Sequence, residues 1–315
     1  MYIGIDLGGT NIAVGLVDEN GKIIEKTSVP TLAERDYREI VKDMVSCAEE
    51  VTEKAGLSMS AVKAIGVGVP GSVDYERGRV AYACNLNFSD APLSEEIQKY
   101  YNVPVALEND ANAAALGEYI ACGKNARVFV AITLGTGVGG GIIIDNKIFH
   151  GANGAGAELG HFTLVHNGLP CNCGKCGCWE SYASVTALIN QTKTAIAKYP
   201  ESLMNTLVKE KGSVSGRTAF EAAKQGDKAA IQVVEKYIEY IADGILSIVN
   251  IFQPDQLVIG GGISKEGDYL LNPIIEYVRK YDYNKLFKKV EISTATLFND
   301  AGIVGAALAA KADRK

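Results

Sequence analysis

The sequence predicts an α/β protein of two domains, and three observations carry that expectation. Strand-like and helix-like apolar patterns alternate along all 315 residues, a length that suits about two domains. A strand, a glycine turn and a second strand open the chain between Ile3 and Val17, and the same unit recurs between Phe129 and Ile144. The two turns, Leu7-Gly8-Gly9-Thr10 and Leu134-Gly135-Thr136-Gly137, hold the same place in each unit, which reads as an internal duplication.

The elements follow in order. Ile3 to Asp6 is a strand leading into the first turn, and Ile12 to Val17 is its partner. Asp18-Glu19-Asn20-Gly21 then turns the chain into Lys22 to Val29. Ile40, Met44, Val45, Ala48 and Val51 recur at helical spacing. Val62 to Val69 and Val103 to Leu107 are short apolar strands, the second followed by an alanine-rich helix from Ala111 to Ala121. In the repeat, Phe129 to Thr133 and Gly139 to Ile144 flank the turn, and Asp145-Asn146 leads into Lys147 to Phe149. Helices are expected at Glu180 to Lys198, Ser215 to Lys224 and Lys228 to Phe252. The last carries Ile231, Val234, Ile238, Ile241, Ile245, Ile248 and Phe252 on one face. Gln256 to Ile259 is a buried strand leading into Gly260-Gly261-Gly262, and Asp300 to Ala312 closes the chain as a helix. No low-complexity linker divides the sequence, so a domain boundary is expected in a compact hinge.

Charge and composition exclude several classes of function. Lys and Arg number 31 against 37 Asp and Glu, a net charge of −6, and no basic run marks a nucleic-acid or anionic-membrane surface. No stretch reaches the roughly 18 to 20 apolar residues of a membrane span. Asp6 interrupts the place where a signal peptide needs its apolar run, so a cytoplasmic protein is expected. Four of the seven cysteines, Cys171, Cys173, Cys176 and Cys178, fall within eight residues. In a reducing compartment such a cluster points to metal, whereas the scattered Cys47, Cys84 and Cys122 read as small core residues.

The glycine turns do not fit a dinucleotide fingerprint. Gly135-x-Gly137-x-x-Gly140 runs into the strand Gly141-Ile142-Ile143-Ile144, and Gly66-x-Gly68-x-x-Gly71 into Ser72-Val73-Asp74. The fingerprint has to open a helix. Glycine turns between strands nonetheless let successive N–H groups converge on an anion, and Thr10 and Thr136 each add a hydroxyl. Two such turns heading duplicated units favour phosphate binding. Asp6, beside the first turn, is placed to hold Mg²⁺ through water.

Glu108-Asn109-Asp110-Ala111-Asn112 sets polar groups at a strand-to-helix junction, where open α/β sheets bind ligands. Taken alone, Asp110 would read as a helix cap. Phosphoryl transfer needs a carboxylate to receive the hydroxyl proton, and Asp110 suits that role, with Asn109 placed to orient the acceptor hydroxyl. Cys171-x-Cys173-x4-Cys178, bent by Gly174 and Gly177, supplies three thiolates for zinc. Cys176, His161 and His166 are the local choices for a fourth ligand, and spacing alone does not decide among them. All positions would then be filled by protein, so the metal is structural. Glu158 and Glu180 flank this loop and are placed to read sugar hydroxyls.

Together these residues resemble the ROK family, the bacterial group of sugar kinases and sugar-responsive repressors. Asp6-Leu7-Gly8-Gly9-Thr10-Asn11 is similar to its first phosphate motif, Gly66 to Gly71 to its next segment, and Glu108 to Asn112 to its catalytic segment. Leu134 to Gly141 resembles the second phosphate motif, and Leu257 to Ser264 the adenosine motif, with Gly260, Gly261 and Gly262 beside base and ribose. Glu158-x-Gly160-His161, with Cys171-x-Cys173-Gly174-x-x-Gly177-Cys178-x-Glu180, resembles the sugar and zinc segment. The resemblance covers nearly the whole chain. It implies zinc on His161, Cys171, Cys173 and Cys178, with Cys176 outside the set, and sugar contacts from Asn109, Asp110, Glu158, His161 and Glu180. ATP would lie against Asp6, Gly8, Gly9, Thr10, Asn11, Gly135, Thr136, Gly137 and Gly260 to Gly262, with Asp110 as base.

The fold so implied is actin-like, of the ribonuclease H-like ATPase class, with two domains around a cleft and a small zinc-binding loop. The small domain would take residues 1–112 with 300–315, and the large one 113–299 with the zinc loop at 161–180. The implied activity is ATP-dependent phosphorylation of a hexose at its 6-hydroxyl, glucose first, with an N-acetylmannosamine or N-acetylglucosamine kinase as the alternative. A homodimer or homotetramer is implied as well. A ROK repressor would carry a helix-turn-helix before the Asp6 motif, and that motif begins at residue 6. One departure stands out: Gly156-Ala157 precedes Glu158, where the pattern leads us to expect Ala-Gly. A positive φ at position 157 would disfavour alanine.

Overall fold

The computed structural model of the chain describes residues 1–312, so the last three positions of the expected 300–315 segment lie outside the described residues. The chain forms two compact units. The first takes Met1–Arg127, Gly141–Ala157 and the chain from Thr296 onward, and the second Val128–Gly140 and Glu158–Ala295.

In the first unit, β1 (Tyr2–Leu7), β2 (Asn11–Val17) and β3 (Ile23–Pro30) form the expected meander. The helix α1 (Tyr37–Lys54) follows, capped by the Asp36 carboxylate on Arg38 N–H. Next come β4 (Ile65–Val69), a three-stranded meander of β5 (Ser72–Asp74), β6 (Arg79–Ala83) and β7 (Phe88–Ala91), then α2 (Leu93–Gln98), β8 (Val105–Asn109) and α3 (Asp110–Ala121). The main sheet runs β3-β2-β1-β4-β8, with β1, β4 and β8 parallel. Its buried face carries Ile3, Ile5, Ile12, Val14 and Val67, which pack in one cluster with Ile40, Met44 and Val51 of α1.

The first unit runs on past Asn112, where the resemblance divides the chain, because α3 packs along the closing helix. That helix also lies against β1 and β4 at close range. A Cβ at Gly4 would come within 1.9 Å of Ile303 O, and one at Gly66 within 1.8 Å of Ala306 O, so backbone meets backbone there.

The second unit is built on β9 (Val128–Leu134), the start of β10 (Val138–Ile144), β12 (Gln256–Gly260) and β13 (Glu291–Thr294); β11 (Lys147–Ile148) continues the hairpin. Its helices are α4 (Glu180–Ala183), α5 (Val185–Lys198), α6 (Leu203–Lys211), α7 (Thr218–Lys224) and α8 (Lys228–Phe252). Then follow β12 (Gln256–Gly260), α9 (Asp268–Tyr281) and β13 (Glu291–Thr294), and α10 (Ala301–Ala312) closes the chain in the first unit. The second sheet runs β11-β10-β9-β12-β13, with β9, β12 and β13 parallel. Each sheet is thus a three-strand run extended by two parallel strands, the layout a duplication requires.

On α8 the expected stripe is buried at Val234, Ile238, Ile241, Ile245 and Ile248, while Ile231 and Phe252 at its ends are half-buried. The helix expected across Glu180 to Lys198 is broken at Ser184, whose backbone is extended and whose hydroxyl caps α5 through Ala187 N–H at 3.1 Å. No helix among the described residues is long and apolar enough to cross a membrane.

Candidate active site and metal centre

The first unit brings the candidate carboxylates Asp6 and Asp110 to the place where its parallel strands end. Asp6 of β1 pairs in register with Gly68 of β4, and Val69 with Asn109 of β8, so the three strand ends lie side by side. Asp110 begins α3 directly beyond. The cap of that helix is Asn109, not Asp110: its Oδ1 accepts from Ala111 N–H at 3.0 Å and Asn112 N–H at 3.2 Å. Its Nδ2 donates to Gly71 O at 3.2 Å, which leaves one amide hydrogen for a ligand.

Relieved of capping, Asp110 accepts a hydrogen bond from Ala111 N–H at 2.8 Å on Oδ1. Burial pushes its carboxyl above the usual aspartate range, against the pull of that hydrogen bond. Burial, with the neighbouring Asp110 charge adding, pushes Asp6 up to about 6. Two carboxylates held close in a partly desolvated pocket are poised to meet a cation and a proton.

The first glycine turn is closed by Gly8 N–H on Asn11 O at 2.9 Å and braced by the Thr31 hydroxyl on Gly8 O at 2.7 Å. Thr10 and Asn11 at its tip are exposed. In the second unit the matching turn has Gly135 N–H on Gly137 O at 3.0 Å, with Thr136 exposed. The start of α5 holds it: Val185 N–H donates to Gly135 O at 2.8 Å, and the Thr186 hydroxyl to Thr136 O at 2.7 Å.

Glu180 joins this turn to the cysteine loop. Its Oε2 accepts from Val138 N–H at 2.9 Å, and its Oε1 lies 3.7 Å from Cys171 Sγ. A side chain at position 137 would strike the same carboxylate, since a Cβ there would stand 2.3 Å from Glu180 Oε2. On the other side of Val138, the segment Leu159–His161 approaches closely enough that only glycine fits at position 160. Glu158, exposed, opens that segment, and His161 N–H donates to Glu158 O at 3.0 Å. The structure therefore gathers Glu158, His161 and Glu180 around the start of β10.

His161, Cys171, Cys173 and Cys178 bring one donor atom each into a group whose members lie within 4.8 Å of one another. His161 Nδ1 is 3.7 Å from Cys171 Sγ, and Cys173 Sγ is 3.5 Å from Cys178 Sγ. Tetrahedral zinc with Zn–S near 2.3 Å sets its sulfurs about 3.8 Å apart, so the spacing fits. Burial, with the Cys173 and Cys171 sulfurs adding, pushes the Cys178 thiol up to about 12, a cost that a bound cation's charge would reverse. Cys176 lies outside the group, in an isolated bridge opposite Pro170. The choice that spacing left open falls on His161.

The third glycine segment follows β12. A cavity of about 470 Å³ there is lined by Gly262, Ile263 and Glu266 together with Val185, Lys211 and Arg217. Val185 also holds the second turn, so cavity and turn adjoin. Lys211 and Arg217 carry no motif in the sequence; they reach the cavity only through the packing of α6 and α7.

Position 157 has the backbone anticipated for glycine. Ala157 sits at φ 64°, in the left-handed region. Gly156 is fixed for another reason: a Cβ there would stand 2.8 Å from Gly151 N and 2.9 Å from His150 O. The left-handed conformation costs alanine about 1 to 2 kcal/mol, and glycine returns part of that in unfolded-state entropy. Ala157→Gly is accordingly expected to raise stability by about 0.5 kcal/mol, and Gly156→Ala to lower it by more than about 1 kcal/mol. Thermal denaturation of the two variants measures both.

A sequence profile of the ROK family matches residues 2–313. The chain belongs to the ROK family. Within it, the chain is 38% identical to a glucokinase of Thermotoga maritima, over 97% of this chain and 95% of that protein. It is 36% identical to a glucokinase of Halalkalibacterium halodurans, over 96% of this chain and 93% of that one. The crystal structure of a ROK family glucokinase from Streptomyces griseus in complex with glucose and AMPPNP matches with a TM-score of 0.82 at 36% identity, covering 99% of each chain. The α/β architecture, with its two five-stranded sheets, is therefore the ROK fold, as the motifs led us to expect.

Proposed function

We propose that this ROK protein is an ATP-dependent glucokinase, transferring the γ-phosphoryl group of ATP to the 6-hydroxyl of glucose in the cytoplasm. The observation that carries this reading is the similarity over 99% of each chain to a glucokinase crystallised with glucose and an ATP analogue. The chain's own chemistry supports it from two sides. Asp110, half-buried and raised, accepts the proton of the 6-hydroxyl as that oxygen attacks phosphorus and ADP leaves. Asn109 orients the hydroxyl with its remaining amide hydrogen, and Glu158, His161 and Glu180 take the other hydroxyls of the ring.

The exposed backbone and hydroxyls of Gly8 to Asn11 and Gly135 to Gly137 cradle the phosphates. The cavity beside Gly260 to Gly262 takes the adenosine, its size falling within the range of nucleotide-sized pockets. Mg²⁺, held by Asp6 through water, would neutralise charge on the phosphate oxygens. Zinc on His161, Cys171, Cys173 and Cys178 is structural, since protein donors fill all four positions. It stiffens the loop that carries His161 and Glu180.

Coupled ADP release with MgATP tests the reading against glucose, mannose, fructose, N-acetylglucosamine and N-acetylmannosamine. Turnover is expected to be fastest with glucose, at least about tenfold above the N-acetyl sugars in kcat/KM, which is about 1.4 kcal/mol of discrimination. A preference for an N-acetyl sugar would move the assignment to the amino-sugar kinases, and no sugar-dependent turnover would refute a kinase altogether.

A further inference from the structure

Behind the base segment lies a buried carboxylate that the proposed mechanism does not use. Glu108 is 3% exposed and sits one residue before Asn109. Its Oε1 accepts three hydrogen bonds: from Asn109 N–H at 2.9 Å, the Tyr75 hydroxyl at 3.0 Å and Asn112 Nδ2 at 3.1 Å. Its Oε2 accepts from His150 Nε2 at 2.8 Å. The His150 ring also rests against Tyr75, with centroids 4.3 Å apart.

Two of these donors, Asn109 and Asn112, bracket Asp110 on its own chain. The other two arrive from elsewhere in the unit: Tyr75 from just beyond β5, and His150 from the loop after β11. That loop is closed on itself, because Gly156 N–H donates to His150 O at 2.9 Å, and it packs on Tyr75 at Gly154. His150 therefore anchors the stretch 150–156 to the same carboxylate that holds the base segment. Ala157 and Glu158 follow directly in the chain.

We infer that the His150–Glu108 hydrogen bond is a positioning device, which sets where Asn109 and Asp110 stand and pins the stretch leading to Glu158. The inference rests on the assignment of Asp110 as base. His150 and Glu108 touch no substrate in this account; they act through Asn109, Asn112 and the loop. A buried carboxylate with all its neighbours donating to it holds its surroundings tightly, and losing one partner frees the rest to shift. A shift of the base by about 1 Å can cost about 100-fold in rate.

The test compares His150→Phe, which keeps a ring against Tyr75, His150→Asn, which stays polar but falls short of Glu108, and His150→Gln, whose amide can donate to it. Asp110→Asn is the control. Steady-state kinetics with glucose and MgATP are expected to show kcat lowered about tenfold or more in the Phe and Asn variants, with KM for ATP within about twofold. The Gln variant is expected to recover to within about threefold of wild type. A merely structural histidine would lower the melting temperature without this split between kcat and KM and without rescue. Should His150→Phe fail to fold, His150→Asn carries the comparison. Wild-type kcat in the shortened variants, with Asp110→Asn inactive, would overturn the positioning role alone. So would a Gln variant as slow as the Asn one. Full turnover in Asp110→Asn would overturn the base assignment and the positioning role with it.

Discussion

Asp110→Asn is expected to lower glucose-dependent ADP release by about 10² to 10⁴-fold while raising the stability of the folded chain at neutral pH. Asparagine keeps the shape and can still accept from Ala111 N–H, the hydrogen bond that Asp110 makes at 2.8 Å. What it removes is a proton acceptor and a buried charge.

The stability effect follows from the direction of the shifts. Burial raises the folded-state pKa of Asp110, and burial with the Asp110 charge raises Asp6 to about 6. A carboxyl with a raised folded pKa binds its proton more tightly folded than unfolded, so stability is lost as pH rises from the unfolded value, near 4, through the folded one. As pH rises through the two raised folded values both charges develop, and their mutual repulsion adds to the cost of burial. Removing one should raise the melting temperature at pH 7.5 by about 2 to 4 °C, with a smaller gain at pH 4.5. The same raised pKa places the acid limb of kcat/KM above the range of an ordinary aspartate. A variant with lost activity and an unchanged or lower melting temperature would contradict the account of the pocket.

The second large effect concerns the metal. Purified protein is expected to carry about one zinc per chain, and Cys178→Ser to lose it. Cys178 is fully buried, and its neighbours His161 and Glu180 are both assigned to the sugar. Loss of the ion should therefore raise the KM for glucose and lower kcat/KM by about 100-fold, since ligand orientation is what the metal supplies. Cys176→Ala is the counterpart: zinc content and activity should stay at wild-type values. Zinc retained in Cys178→Ser, or lost in Cys176→Ala, would contradict the ligand set.

Much of this was legible in the sequence, and the reasons are local. Both hairpins around the glycine turns, and the full extent of α8 from Lys228 to Phe252, follow from short-range turn chemistry and from a sustained 3.6-residue period. The cysteine spacing already narrowed the metal to a single loop. What escaped lies where signals are short or tertiary. The meander β5 to β7 is made of strands of three to five residues, too few to display alternation. The break at Ser184 did have a signal, a serine ahead of an apolar run, but the flanking helical pattern masked it. Asn109 and Asp110 are both good caps, and only the geometry assigns the capping to Asn109. Glu108 and His150 stand 42 residues apart, and nothing in their spacing announces a hydrogen bond.

Identification of the product decides whether the protein phosphorylates glucose at its 6-hydroxyl. The protein is mixed with MgATP and equimolar glucose, N-acetylglucosamine and N-acetylmannosamine, and the phosphorylated sugar is identified by phosphorus–proton correlation NMR. Glucose 6-phosphate is expected as the dominant product, formed in step with ADP. Phosphate on an N-acetyl sugar, on another hydroxyl, or released only as inorganic phosphate would contradict the glucokinase reading.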